Sequence, residues 1–133
     1  MLVVDASVLF EVVTGGPGAP AMQARLRQDP DHAAPHIVDV EVFGAIRREH
    51  LRGLLDRTQS TQAVRSLELW PGDRYGHRPL LGRAWDLRHS VRGSDAMYVA
   101  LAEALEAILI TTDVRLAGST GPTCRIDALT DVP

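Results

Sequence analysis

Along this 133-residue chain, short apolar runs alternate with stretches in which hydrophobic residues recur every three or four positions. Leu2 to Val4 is a strand-length run ending at Asp5, and Val8, Leu9, Val12 and Val13 then follow at helical spacing over Ala6 to Val13. Gly15-Gly16-Pro17-Gly18 breaks the pattern, after which Ala21, Met22 and Leu26 outline a short amphipathic helix closed by Asp29-Pro30. Ala33 to His36 reads as a brief strand. Asp39 is the expected N-cap of a long helix whose inward stripe is Val40, Phe43, Ile46, His50 or Leu51, and Leu54. Another helix covers about Thr58 to Leu69, with Ala63, Val64, Leu67 and Trp70 inward, and Trp70-Pro71-Gly72 stops it. Leu80 to Leu87 gives a further one. Ser94 is the expected cap of a strongly periodic helix in which Met97, Ala100, Leu101, Ala104, Leu105 and Ile108 share a face. Ala107 to Ile110 is again strand-length and runs into Thr111-Thr112-Asp113, and a last strand is expected near Cys124 to Ile126. Strands and helices alternating on this scale predict an α/β fold, a single domain over residues 1–133 with a central parallel sheet of four to five strands and helices on both faces.

Composition narrows the functional classes. A chain of this length fits one domain burying about two-thirds of its unfolded surface. No apolar stretch approaches the ~18 residues a membrane span needs, and Leu2-Val3-Val4-Asp5 is preceded by no basic leader, so a soluble cytoplasmic protein is expected. The single cysteine, Cys124, excludes an internal disulfide and a thiolate metal cluster, and its apolar neighbours suit a packing role. A net charge of −3 argues against wrapping nucleic acid by wholesale phosphate neutralisation, while leaving room for a local basic groove. All 14 basic residues are arginine, and the absence of lysine removes both a Walker phosphate loop and a phosphoacceptor receiver site. His32, His36, His50, His77 and His89 share no ligand spacing, which argues against zinc.

Four acidic residues stand out by position. Asp5 and Asp113 each follow an apolar strand and precede a helix, and in an open parallel sheet those carboxyl ends are where ligands bind. Glu41 and Asp95 fall in the opening turns of long helices, where the helix dipole favours negative charge. Taken singly, each has a plainer reading: a first-turn carboxylate for Glu41 and Asp95, a helix cap for Asp5. Carboxylates that converge raise one another's pKa or demand a cation. Oxygen-only ligation suits magnesium, with manganese as a substitute.

In this order, Val3-Val4-Asp5-Ala6-Ser7-Val8-Leu9, Asp39-Val40-Glu41-Val42, Ser94 to Glu103 and Thr111 to Ala117 resemble the PIN-domain family, and within it the VapC toxins of prokaryotic toxin–antitoxin pairs. The resemblance covers nearly the whole chain. It implies a metal-dependent RNA endonuclease in which metal-bound water attacks in line, leaving a 5′-phosphate and a 3′-hydroxyl. It assigns the acidic quartet to Asp5, Glu41, Asp95 and Asp113, with Asp5 and Asp95 as the direct ligands, and it makes Ser7 the hydroxyl that orients Asp5. Ser94 stands where relatives often carry an aromatic residue, and Arg115-Leu116 where some carry a further acid. It further implies a homodimer and a VapB-like antitoxin that silences the enzyme. Ser7, Thr112, Arg92 and Arg115 are the candidate substrate contacts, the two arginines because a guanidinium fork suits a flanking phosphate. A haloacid-dehalogenase-like phosphatase is excluded because Ser7 stands where that class needs a second aspartate. The competing reading is a PIN fold kept as a binding module without turnover.

Overall fold

A computed structural model describes residues 1–130 and gives, in chain order, β1 (Leu2–Val4), α1 (Ala6–Thr14), α2 (Ala19–Leu26), β2 (His32–Pro35), α3 (Ile37–Leu51), α4 (Arg57–Leu69), β3 (Asp73–Tyr75), α5 (Leu81–Asp86), α6 (Gly93–Ala104), β4 (Ile108–Thr111), α7 (Val114–Ala117) and β5 (Ile126–Ala128). Residues 131–133 of the expected domain lie outside the described residues. The five strands form one parallel sheet in the order β3-β2-β1-β4-β5. The chain therefore builds outward from β1 to β3, then crosses back and continues on the other side of β1. Right-handed crossovers put α1 to α4 on one face and α5 with α6 on the other.

Burial follows from that layering. Leu2, Val3 and Val4 of β1 and Leu109 and Ile110 of β4 are all buried, so both central strands are apolar on both faces, as a sheet covered on both sides requires. Helix α6 packs against β1, β2 and β4, and Ala96 together with Tyr98 to Ala102 is buried. That breadth leaves little room for the expected single stripe: Ala104 is exposed, while Tyr98 is interior. Gly15 closes α1 in the left-handed region (φ 66), a conformation that costs glycine nothing.

Several sequence expectations shift. Helix α3 starts at Ile37 rather than after Asp39, because His77 Nε2 accepts the Ile37 N–H at 3.0 Å while the Asp39 carboxylate turns to Arg74 at 2.9 Å. Its buried stripe is Val38, Val42 and Ile46; Val40, Phe43, Leu51 and Leu54 are exposed. Both sets have helical spacing, and packing against α1 and α4 selects between them. Ser94 does not cap α6, since the extended N-cap residue is Arg92. The expected Leu80 to Leu87 helix is a 3₁₀ turn (Arg78–Leu80) running into the short α5. Strand β3, Asp-Arg-Tyr, had no apolar signal because it is an edge strand, and β5 begins two residues past Cys124. Cys124 is half-buried against the core, which raises its pKa and keeps it an unreactive thiol. No described helix is long and apolar enough to cross a membrane.

Candidate active site

The direction of the chain's growth reverses between β1 and β4, and at such a switch point the loops leaving the strands part to form a crevice. Strands β1 and β4 are paired in register from Leu2↔Ile108 to Val4↔Ile110, so the residues that follow them emerge side by side. Asp5 occupies the N-cap position of α1 but makes no capping bond, so the cap reading is set aside. Its Oδ2 instead accepts hydrogen bonds from Ser7 Oγ and Thr111 Oγ1, both at 2.7 Å. Each hydroxyl also accepts a backbone N–H of the loop after β4: Ser7 from Thr112 at 3.2 Å, Thr111 from Asp113 at 3.1 Å. Accepting from the loop leaves each hydroxyl's proton for Asp5. The Asp5 side chain is fixed while its Oδ1 has no hydrogen-bond donor among the described residues.

Asp113 opens α7, its Oδ1 accepting the N–H groups of Arg115 at 2.9 Å and Leu116 at 3.4 Å. Glu41 lies one turn further along α3 than its sequence position suggested, because that helix begins early. Its longer side chain reaches toward α6, where Oε1 accepts the hydroxyl of buried Tyr98 at 2.6 Å. Tyr98 is three residues beyond Asp95, so both project from one face of α6. Burial, then the bond to Glu41, raise the Tyr98 pKa well above the usual phenol range, and it remains a neutral donor. Asp95 sits in the first turn of α6 with no side-chain donor among the described residues.

Electrostatics ties the four together. Burial first, then repulsion from Asp5, Asp113 and Glu41, holds the Asp95 carboxyl up at about 6, with Arg92 pulling the other way. A carboxyl that feels all three others is a measure of their convergence. The donor set fits a hard divalent cation: every candidate ligand is a carboxylate oxygen, and the Asp95 pKa is raised by burial and then by neighbouring negative charge that a cation would neutralise. The ligands are not closed into ready-made coordination, for among the described residues no three His, Cys, Asp or Glu side chains stand in metal-holding geometry.

Beside the acids, a hollow is lined by Arg92, Asp95, Asp113 and Arg115, with Ser90 and Ser119. The structure thus brings both candidate arginines to the mouth of the cluster. Arg92 is exposed, and Arg115, at 81% side-chain exposure, lies 4.0 Å from Asp113, a surface pair worth little in stability. Thr112 is half-buried and is tied to Ser7 through its backbone N–H. Two residues that support the cluster were missed in the sequence. Thr111 is a polar residue at the end of an otherwise apolar buried strand, and Tyr98 is a tyrosine inside the helix with the most buried residues; a buried hydroxyl needs a partner, which was the available signal.

Residues 2–118 match the PIN domain family, and the chain belongs to it. Its curated relatives are more specific, being VapC ribonucleases. The chain is 39% identical to ribonuclease VapC1 of Mycobacterium tuberculosis over 93% of its own length and 94% of the relative's. It is 39% identical to ribonuclease VapC12 of the same species, covering 96% and 98% of the two chains. With ribonuclease VapC3 the identity is 38%, over 87% and 85%.

Proposed function

We propose that this chain is a VapC-type RNA endonuclease of the cytoplasm, hydrolysing phosphodiester bonds with magnesium, or manganese in its place, held by Asp5, Glu41, Asp95 and Asp113. The observation that carries this reading is the placement of Asp5 and Asp113 at the ends of paired β1 and β4, at the switch point of the sheet, with Asp95 lining the same hollow as Asp113 and its pKa raised by burial and then by Asp5, Asp113 and Glu41. Membership of a family whose curated relatives are named ribonucleases supports the same reading. When bound, the ion supplies positive charge at the phosphate and lowers the pKa of an attacking water. Asp5 and Asp95 are the direct ligands in this reading. Ser7 and Thr111 keep the free oxygen of Asp5 aimed into the crevice, and Asp113 completes the negative rim from the start of α7. Arg92 and Arg115 hold phosphates that flank the scissile one, where guanidinium can donate two hydrogen bonds to one group. Ser7 and Thr112 border the substrate path at the base of the crevice. The enzyme works as a homodimer and is silenced by a VapB-like antitoxin, as the VapC relationship implies.

The test is cleavage of RNA by purified chain with magnesium, with manganese and with chelator, followed by mapping of the new ends. Cleavage that needs the ion and leaves 5′-phosphates is expected. RNA binding that persists without any cleavage under all three conditions would make the chain a PIN-fold binding module instead.

A further inference from the structure

The four carboxylates are not held alike. Asp5 is fixed by two hydroxyls and Asp113 by backbone N–H groups of its own helix, so both are set by residues local to the strand ends. Glu41 has neither. It stands in the second turn of α3, on a side chain with one more rotatable bond than aspartate, and must cross to the face of α6 that carries Asp95. Among the described residues, the one side-chain hydrogen bond to it comes from the Tyr98 hydroxyl, 2.6 Å from Oε1. That distance is in the short range of a hydroxyl donating to a carboxylate. Tyr98 is fully buried and backed by the core on α6, so its hydroxyl is a fixed point. The other oxygen of Glu41, Oε2, has no hydrogen-bond donor among the described residues.

We infer that Tyr98 is a positioning residue for the metal site, its hydroxyl holding Glu41 by one oxygen so that the other stays free for the site. The inference rests on the proposed metal-dependent reading. A bond that fixes a ligand in advance strengthens metal binding by sparing the ion the work of ordering a flexible side chain, and such outer partners typically matter by 10- to 100-fold in affinity or activity, on the order of tenfold for one neutral hydroxyl. Tyr98 touches neither substrate nor ion. Its effect therefore runs through Glu41 alone, and this separates positioning from packing.

The variants are Tyr98→Phe, Glu41→Gln and the two combined, measured by manganese titration calorimetry and by cleavage at rising magnesium. Tyr98→Phe keeps the ring in the core, so it should fold. It should weaken manganese affinity about tenfold and raise the magnesium needed for half-maximal cleavage by a similar factor, with saturating magnesium restoring most of the rate. In the Glu41→Gln background the same change should cost nothing further, as expected of a residue that acts only through Glu41. Equal metal affinity in parent and Tyr98→Phe would overturn the inference and leave the nuclease reading intact. So would an equal loss in both backgrounds, which would mark Tyr98 as a packing residue. A parent chain that binds no manganese and cuts no RNA would overturn both.

Discussion

Asp5 and Asp95 are near enough to repel each other, yet Asp5 has two hydroxyls at 2.7 Å on one of its oxygens whereas Asp95 has no side-chain donor among the described residues and its pKa is raised to about 6. The strand-borne acid is stabilised by neutral dipoles fixed in the fold. The helix-borne acid is left with burial and with the charges of its neighbours, offset only by exposed Arg92. Two hydroxyls satisfy the nearly buried Asp5, whereas among the described residues no hydroxyl does so for Asp95. The helix side is thus where the proposed cation would relieve the most repulsion and where its binding is best tested.

The largest effect should come from neutralising the fixed acid. Asp5→Asn keeps side-chain volume and leaves Ser7 and Thr111 a carbonyl to bond, so the fold should survive while cleavage falls by more than about a hundredfold. Rate measurements on nuclease-free protein check this, and a variant cutting at the parent's rate would remove Asp5 from the site.

The pH response of Asp95 should be smaller and of definite sign. In the metal-free folded chain this carboxyl titrates near 6, against 3.8 for the free group, so the folded state holds the extra proton between those values. Its contribution is most favourable below the lower value and is lost as pH rises toward the upper one. Asp95→Asn removes that loss, and at neutral pH without metal it should gain about 1–2 kcal/mol after allowing for solvent around a half-exposed group. Denaturant melts of parent and variant across this range, in chelator, should diverge with rising pH and then run parallel. A difference that does not change with pH would mean that Asp95 is not strained by its neighbours. Magnesium should reverse the order, stabilising the parent and not the variant, and less so below the carboxyl's raised pKa, where the proton competes with the ion.

The arginines at the rim should give the smallest effect. Arg92→Ala with Arg115→Ala removes two exposed charges beside Asp95 and Asp113 without touching a carboxylate. RNA affinity should fall alike for all sequences, and the log–log salt dependence should flatten by up to about 1.4, two single-strand phosphate equivalents. Magnesium affinity should hold or rise slightly, since charge that competes with the ion is lost. An unchanged salt slope would return both residues to the solvated surface.

Local pattern carried most of the element order, since a strand or helix announces itself by period and its ends by glycine and proline. Strands β1 and β4 and helices α4 and α6 were legible for that reason. Asp5 and Asp113 could be placed at the crevice because each follows an apolar run, Glu41 and Asp95 stood out as acids in the opening turns of periodic helices, and the resemblance joined the four into one site. What the pattern left undecided was which face of an amphipathic helix meets the sheet. In α3, Val40 with Phe43 and Val38 with Val42 are equally periodic, and only packing against α1 and α4 selected the second pair. An edge strand as polar as Asp73–Tyr75 has no pattern to read, because its pairing energy comes from β2 rather than from its own side chains. The supports of the site were undecided for the same reason. Thr111 meets Asp5 across 106 positions of sequence and Tyr98 meets Glu41 across 57, so which hydroxyl holds which carboxylate is fixed by the register of β1 on β4 and by the approach of α6 to α3. A sequence determines which groups are available, but a hydrogen bond depends on a distance of tenths of an ångström that only the folded chain sets.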